Sequence, residues 1–191
     1  MDNKQEGPIE QELQSAIRAK VSSICDDGER DIVSVLESIA EVLIDGYADM
    51  LAIDLVEDDG MIKQYLMRHI DSELEIHLKK LRNTNPLLST SAYGYPRVIK
   101  TGKSQFIPGV SPRLAHRLFA DMDGHSVNDG LSIRSFICVP LIAYGRTLGA
   151  LTIMTGKRRF TSNDLLIAED AAPIIAKCLD DRFLLSKKRT G

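Results

Sequence analysis

The sequence predicts an α+β fold in which helices at both ends of the chain flank a mainly antiparallel sheet. Near both termini, apolar residues recur every three or four positions, as they do on an amphipathic helix. Between them lie two apolar segments, each interrupted by a turn sequence, which is the pattern of a β-hairpin. We therefore expect the terminal helices to cover one face of the sheet, and middle helices and loops to cover the other.

The N-terminal part of the chain predicts a tail followed by two helices. Residues 1–8 are polar and predict a disordered tail. The next segment, residues 9–30, predicts an N-terminal helix, whose apolar stripe is Leu13, Ile17, Val21 and Ile24. A second helix carries Ile32, Val35, Leu36, Ile39 and Leu43 on one face. It should end near Gly46, because glycine readily adopts the backbone conformation that terminates a helix.

The first hairpin is predicted by two apolar runs around Asp58-Asp59-Gly60. Its strands should span about 47–57 and 61–69, and Asp54 interrupts the first of them. The middle of the chain then predicts, in order, a polar helix over 71–80, a helical turn over 97–102, a strand over 104–107 and a helix over 112–122.

The second hairpin and the last helix carry the strongest patterns. Residues 133–142 and 147–154 are rich in β-formers and are separated by the turn Gly145-Arg146. The spacing of Thr161 and Asp164 fits a capping box for a C-terminal helix over 162–186.

That helix carries two adjacent apolar stripes, where packing on one sheet face needs only one. Two interpretations remain open: a second partner such as another subunit, or a helix wedged between the sheet and the N-terminal helices of the same chain. Pro173 removes one backbone hydrogen bond within the helix and predicts a kink.

The composition indicates one ordinary globular domain, over residues 9–186, with a short tail at 187–191. The 191 residues carry a net charge of −3, which argues against a nucleic-acid partner held by bulk electrostatics. No apolar run approaches the roughly 20 residues that cross a bilayer, so no membrane partner is expected. The three cysteines are widely spaced and form no Cys-x-x-Cys, so neither a disulfide framework nor a zinc site is predicted, and we expect a cytoplasmic location.

Several segments resemble one known family. Ile133–Leu141, Gly145–Thr152 and Arg159–Leu165 resemble the C-terminal half of a GAF domain, and Pro96–Gly102 resembles its middle section. The resemblance covers most of the chain and is nearest to GAF domains of bacterial sensor kinases. It implies a GAF/PAS-like fold: a six-stranded antiparallel sheet in the order 2-1-5-4-3-6 or near it, a terminal-helix bundle behind, and a pocket on the opposite face. It also implies dimerisation through the terminal helices.

The family's known sites carry over poorly. Lys157, Phe160 and Asp164 match a cyclic-nucleotide signature, but Gly156 and Leu165 replace its Asn and Glu. The nearest analogue of the bilin-binding Cys-His pair is Ala115-His116, which lacks the thiol, so covalent bilin attachment is excluded. Sulfoxide-reductase members use several pocket cysteines, whereas Cys25 and Cys178 fall on terminal helices and Cys138 alone falls on a strand. No cofactor is identified.

Several side chains near the expected pocket are candidate ligand contacts. Histidines in loops or on the middle helix can meet a ligand or a haem iron, an arginine at a strand start can bind an anionic group, and aromatic rings can line a pocket. Strand alternation places Arg134, Phe136 and Cys138 on one face. The candidates are Phe106, His116, Phe119, His125, Arg134, Phe136 and Cys138; for each, solvent exposure or ordinary core packing is the alternative. No catalytic or metal-binding residue is predicted.

The sequence therefore favours a non-catalytic sensory or regulatory GAF domain of a bacterial signal-transduction protein of the histidine-kinase-associated type. It would bind an unidentified small molecule, form a homodimer, and pass a signal through its terminal helices to a partner in trans. The alternatives are a purely structural dimerisation module and a small redox enzyme of the GAF type.

Overall fold

The computed structural model describes residues 8–28, 30–44, 46–84, 91–119 and 132–189. The helices in these ranges are α1 (Pro8–Asp26), α2 (Ile32–Ile44), α3 (Ser72–Thr84), α4 (Tyr95–Thr101), α5 (Pro112–Phe119) and α6 (Ser162–Arg189). The strands are β1 (Met50–Val56), β2 (Ile62–His69), β3 (Gln105–Ile107), β4 (Ser135–Ala143) and β5 (Arg146–Thr155). The fold is α+β, as the sequence predicts.

The sheet is antiparallel and has the order β2-β1-β5-β4-β3. Both predicted hairpins are present, as β1–β2 and β4–β5. The order agrees with the first five positions implied by the family resemblance. The described residues supply five strands, where the resemblance implies six.

The β4–β5 turn lies one residue earlier than predicted. Its two central residues, Tyr144 and Gly145, have φ values of 49° and 77°, so both lie in the left-handed region that a two-residue type I′ hairpin requires. Arg146 is consequently the first residue of β5. The Tyr144 hydroxyl donates to Asp181 of α6 at 3.2 Å, which ties the turn to the terminal helix.

A β-bulge interrupts the β1–β2 ladder. Ile53 pairs with Leu66, but Asp54 pairs with Gln64, so Tyr65 is an extra residue in β2. The Tyr65 ring packs edge-on against Phe183 of α6, with ring centres 5.9 Å apart. Because a bulge changes which face the following side chains point to, Gln64 and Tyr65 serve opposite sides of the sheet.

One side of the sheet, the terminal-helix face, packs against α1, α2 and α6. The strands contribute alternate residues to this apolar cluster, and the helices add theirs. Both predicted stripes of α6 have buried members, Ala172 and Ile175 in one and Ala171 and Cys178 in the other, while Ile174 and Phe183 are partly buried. Since α6 packs on β4 and also on α1, the wedge within one chain accounts for its broad apolar surface.

The other side, which we name the pocket face, packs against α3 and α4. Its buried members are Met50, Ala52, Met67, Leu78, Tyr95, Val98, Phe136, Cys138, Ala150 and Met154. Helix α4 ends as predicted at Gly102, whose φ of 62° lets its N–H reach the Val98 carbonyl. This places Tyr95 and Val98 over the sheet.

The start of α6 confirms the predicted capping box. The Thr161 N–H donates to Asp164 Oδ2 at 2.6 Å, and the Asp164 N–H donates to Thr161 Oγ1 at 3.4 Å. The helix continues to Arg189, beyond the predicted end at 186 and into the predicted tail. At the other terminus, α1 begins at Pro8 and ends at Asp26, short of the predicted 30; residues 1–7 lie outside the described ranges.

Candidate functional site

The pocket face contains a fully buried carboxylate. Asp54 lies near the end of β1 between Ile53 and Leu55, whose side chains point to the terminal-helix face. Strand alternation turns Asp54 to the pocket side, where its residue exposure is 0%. Because β1 is paired on both edges, a charged side chain here cannot reach solvent past the sheet.

Asp54 faces a second buried polar group. Gln64 is its cross-strand partner in β2, and directly opposite side chains lie close enough to interact. Asp54 Oδ2 and Gln64 Nε2 are both buried and have no hydrogen-bond partner among the described residues. Native proteins pair nearly all such atoms, so these two are exceptions. Asp54 Oδ2 is left as a hydrogen-bond acceptor and Gln64 Nε2 as a donor, on directly opposite residues.

The other carboxylate oxygen of Asp54 is held by Arg82 of α3. Arg82 Nη2 lies 2.5 Å from Asp54 Oδ1, and the guanidinium stacks 3.7 Å from the centre of the Tyr95 ring of α4. One arginine therefore connects β1, α3 and α4 through an ion pair and a cation–π contact. We call Asp54, Gln64, Arg82 and Tyr95 the Asp54 cluster.

Burial controls the ionisation of this carboxylate. Loss of solvation raises the pKa of Asp54 to about 6, although the Arg82 charge and hydrogen bond oppose the rise. A carboxyl group with a pKa in this range gains or loses its proton near neutral pH when a neighbouring charge changes. Asp54 can therefore accept a hydrogen bond as a carboxylate or donate one as an acid.

Cys138 lies on the same face and is inert. Its exposure is 0%, and its sulfur accepts a hydrogen bond from Thr152 Oγ1 at 3.3 Å. Burial raises the pKa of the Cys138 thiol to about 12, with the Asp54 charge adding to the rise. The thiol is therefore protonated at neutral pH, and a protonated thiol is a poor nucleophile.

The structure brings some of the predicted ligand contacts to this face and not others. Phe136 and Cys138 are in the pocket-face cluster. Phe106 packs against the terminal-helix cluster instead, because β3 pairs it with Ile137 rather than with Phe136. Arg134 is exposed and precedes β4; its backbone joins the sheet through Thr155.

The remaining predicted contacts are not described in full. His116 and Phe119 lie on α5, and their side chains fall outside the described part of the structure. His125 lies in 120–131, also outside it. Their role in ligand binding stays a prediction.

The three residues that match the cyclic-nucleotide signature have structural partners within the chain. Lys157 Nζ lies 3.3 Å from Asp49 Oδ1, and Phe160 is buried with its ring centre 5.9 Å from that of Tyr47. Asp164 caps α6 and also accepts both terminal nitrogens of Arg158. The Lys157 pair joins the segment after β5 to the residue before β1, whereas Asp164 holds the start of α6.

Sequence reasoning missed the Asp54 cluster. The signal was available: Asp54 is a single charge in an otherwise apolar run, and such a residue in a central strand must be buried with a partner. The partner was not available, because Arg82 lies 28 residues away and Gln64 faces Asp54 only through the bulge. Within the described ranges, no three His, Cys, Asp or Glu side chains converge as metal ligands, and no helix is long and apolar enough to span a membrane.

This architecture has a family equivalent. The sequence matches the GAF domain model over residues 16–179, which covers both faces of the sheet and the whole Asp54 cluster. The chain belongs to the GAF family. A comparison with curated proteins finds no match.

Solved GAF-type structures share the fold at low sequence identity. A free methionine-R-sulfoxide reductase from Neisseria meningitidis, in complex with its substrate, has 18% identity and a TM-score of 0.65 over 95% of this chain and 96% of that one. The GAF domain of a phosphoenolpyruvate-protein phosphotransferase from Coxiella burnetii has 13% identity and a TM-score of 0.61 over 92% and 98%. A domain of a two-component sensor histidine kinase protein from Sinorhizobium meliloti has 15% identity and a TM-score of 0.58 over 85% and 100%. At these identities the likeness concerns the fold.

Proposed function

We propose that this GAF domain is a sensory domain of a signal-transduction protein that binds a small molecule on its pocket face. The observation that carries the proposal is the pair of buried, unpartnered polar atoms, Asp54 Oδ2 and Gln64 Nε2. Leaving both unpaired costs free energy in the unliganded domain. A ligand that pairs with both recovers that cost as binding free energy.

The chemistry of the two atoms defines the ligand class. Asp54 Oδ2 needs a donor, such as an ammonium or amide N–H, and Gln64 Nε2 needs an acceptor, such as a carbonyl or carboxylate oxygen. The surrounding side chains are apolar. The ligand is thus a small molecule with a donor beside an acceptor and an apolar remainder; amino acids and their amides are the simplest members.

The sheet provides a route from this site to the terminal helices. Asp54 alternates along β1 with Ile53 and Leu55, which pack in the terminal-helix cluster. A ligand that binds one backbone arrangement of β1 more tightly than another biases the packing of the helices on the reverse side. The output would then be read by a partner in trans, or by a second copy of the chain.

The sequence predicts a homodimer through the terminal helices, and exposed apolar side chains at the start of those helices are the surface that we propose for it. Leu13 of α1 and Leu166 of α6 are 45% and 40% exposed. Light scattering of wild type and of Leu13→Glu measures this directly: a dimer that becomes a folded monomer supports the proposal, and a wild-type monomer contradicts it.

The alternative of a redox enzyme takes support from the fold shared with the Neisseria reductase. Cys138 is the described cysteine on the pocket face, and its raised pKa weighs against a nucleophilic role. An enzyme would lose its activity on replacement of Cys138 by serine, whereas a sensor would keep its ligand.

The sensor proposal is tested by thermal shift with amino acids, amino-acid amides, nucleotides, aromatic acids and tetrapyrroles. A ligand of the native state raises Tm with concentration. We expect at least one amino acid or amide to do so with wild type, and Asp54→Asn and Gln64→Leu to lose most of the shift.

A matched control lies on the terminal-helix side. Asp180 is a buried carboxylate that pairs with Arg146 at 2.5 Å, so Asp180→Asn removes a similar group away from the pocket face. It should keep the full ligand shift. A ligand that shifts wild type and Asp54→Asn equally, or a panel without effect, would overturn the proposal and favour a structural dimerisation module.

A further inference from the structure

Two cysteines that are distant in sequence meet on the terminal-helix side of the molecule. Cys25 lies one residue from the end of α1, and Cys178 lies in the C-terminal half of α6. Both cysteines line one cleft between these helices, and Arg182 Nη1 contacts both residues, the carbonyl of Cys25 and the sulfur of Cys178. Cys178 belongs to the terminal-helix cluster and Cys25 packs against it, on the opposite side of the sheet from the Asp54 cluster.

Arg182 holds both cysteines in place. Its Nη1 lies 2.9 Å from Cys178 Sγ, and its two terminal nitrogens donate to the Cys25 carbonyl at 3.4 and 3.3 Å. The same side chain donates to the carbonyls of Asp27 at 2.5 Å and Arg30 at 3.3 Å. The guanidinium thus caps the C-terminus of α1, where unpaired carbonyls favour a cation, and presents positive charge to a thiol.

From this geometry we infer that Cys25 and Cys178 form an oxidisable dithiol, a modification site at which a peroxide converts two thiols into a disulfide between α1 and α6. The arrangement has the parts that such a site needs: two cysteines that line the same cleft, a cation beside the sulfur of one of them, and an opening. A disulfide requires the two sulfur atoms to close to about 2.05 Å. A shift of one helix against the other supplies that movement.

The position of Arg182 assigns the roles of the two thiols, because its Nη1 lies 2.9 Å from Cys178 Sγ and a neighbouring cation favours the thiolate. The hydrogen bond from the Cys25 thiol and the charge of Arg182 lower the pKa of Cys178, with burial and Asp181 opposing. The hydrogen bond to Cys178, burial and the nearby Asp26 raise the pKa of Cys25. Cys178 is therefore the attacking thiolate, and Cys25 is the resolving thiol.

A cleft on the terminal-helix side is lined by both cysteines. The cleft of about 370 Å³ lies between α1 and α6, and its lining includes Cys25, Cys178, Pro173 and Lys177. This volume admits a molecule as small as hydrogen peroxide. Lys177 shares the lining with two carboxylates, Asp26 and Asp181, so the cation that favours a thiolate on Cys178 is Arg182, which touches its sulfur.

The reaction balances with a peroxide as the oxidant. The Cys178 thiolate attacks one peroxide oxygen, the O–O bond breaks, and the released hydroxide takes a proton to become water, leaving a sulfenic acid on Cys178. The Cys25 sulfur then attacks the sulfenic sulfur; the S–O bond breaks, and the hydroxyl leaves as a second water with the Cys25 proton. One peroxide is reduced by two electrons, and two thiols become one disulfide.

The test uses the full chain, fully reduced and then treated with one to five equivalents of hydrogen peroxide. The expected result is a fall from three free thiols to one per chain, a mass loss of about 2 Da, and a Cys25–Cys178 peptide in a non-reducing digest. Dithiothreitol should restore all three thiols. The product should run as a monomer on a non-reducing gel, because the link is within one chain.

Three variants separate the roles. Cys25→Ser should trap the sulfenic acid on Cys178, detected by dimedone labelling, while Cys178→Ser should label at least tenfold less at Cys25. Cys138→Ser is the control and should keep the disulfide. Arg182→Lys should slow the thiol loss severalfold, because its ammonium cannot maintain the same contacts.

Folding of each variant is checked by circular dichroism, and the wild-type digest decides the matter if one of them fails to fold. The proposal is overturned if peroxide produces no Cys25–Cys178 peptide, or if thiol loss in Cys178→Ser matches that in wild type. The site is independent of ligand binding, so either proposal can fail alone.

The dithiol also lies twelve residues from Leu13 and Leu166 along each helix, about 18 Å, so a dimer at that end leaves the cleft open.

Discussion

The two faces of the sheet differ in how their buried polar side chains are paired. On the terminal-helix face, the cluster consists of apolar side chains, and nearby buried carboxylates such as Asp164 and Asp180 are fully engaged by arginines and backbone groups. On the pocket face, buried Asp54 and half-buried Gln64 each have a buried polar atom without a partner. A further buried atom without a partner in the described residues, Asn163 Oδ1, lies alone in the first turn of α6; the pocket face differs because an acceptor and a donor lie on opposite residues of paired strands.

The largest effect should come from Gly149, where both faces depend on one backbone contact. A Cβ at this position would lie 2.1 Å from the Asp54 carbonyl oxygen and 2.9 Å from Leu55 Cα. Backbone atoms cannot move aside, so Gly149→Ala should cost more than about 3 kcal/mol of unfolding free energy, measured by urea denaturation. Gly28→Ala is the control, since nothing lies within 4 Å of its Cβ position; equal effects in the two variants would refute the close approach.

The ion pair on the pocket face should matter almost as much. Arg82→Met leaves the Asp54 carboxylate buried without its cation, which should cost about 3 kcal/mol at pH 8. Without Arg82 to oppose burial, the pKa of Asp54 in the variant lies above the wild-type value of about 6, so the cost should shrink as the pH falls from 8 towards 6 and protonation removes the unpaired charge. Lys79→Met, three residues earlier on α3, breaks a more exposed pair with Glu75 and should cost less than about 0.5 kcal/mol; similar losses for both would argue against a buried pair.

The raised pKa of Asp54 should also make the stability of the protein depend on pH. Burial raises the pKa of Asp54 from 3.8 to about 6, so between pH 4 and 6 the folded protein holds a proton that the unfolded chain has lost. This group's contribution to stability is therefore present below pH 4 and lost as the pH rises through 6. Relative to Asp54→Asn, wild type should gain about 2 kcal/mol as the pH falls from 7 to 4.

The measurement is the difference in unfolding free energy between the two proteins at each pH, in which the titration of other groups cancels. Asp49, the residue directly before β1, is the comparison carboxyl. Hydrogen bonds from Gly156, Thr155 and Lys157 outweigh its burial and lower the pKa of its carboxyl. Its variant Asp49→Asn should show the opposite trend, below pH 4. A flat difference for Asp54→Asn would mean that its carboxyl is not shifted upward.

The smallest effect should come from the cap of α6. Thr161→Ala removes the hydroxyl that accepts from the Asp164 N–H and should cost about 1 kcal/mol. Asp164 keeps its contacts with Arg158, so the terminal-helix face should otherwise be unchanged. Ser162→Ala, at the exposed neighbouring position, is the control; a ligand shift altered by Thr161→Ala alone would show that the cap also governs the pocket face.

The sequence predicts the elements of this fold well because each depends on a pattern of residues that are close together in the sequence. Apolar spacing defines α2 and α6, turn residues define both hairpins, and Thr161 with Asp164 defines a helix start. The Asp54 cluster and the dithiol are different, since each joins residues from separate elements: Asp54 with Arg82, and Cys25 with Cys178 across 153 positions. Single-sequence patterns register a lone charge or a lone thiol, but only the packed chain shows its partner.

The additional residue in β2 gives this protein a short mechanical linkage. Gln64 is the cross-strand partner of Asp54, and the next residue, Tyr65, packs edge-on against Phe183 in the last turns of α6. A ligand that displaced the Gln64 side chain would therefore act on the residue directly before the one that contacts α6. The bulge in β2 thus joins a pocket-face side chain to the last helix through two consecutive residues.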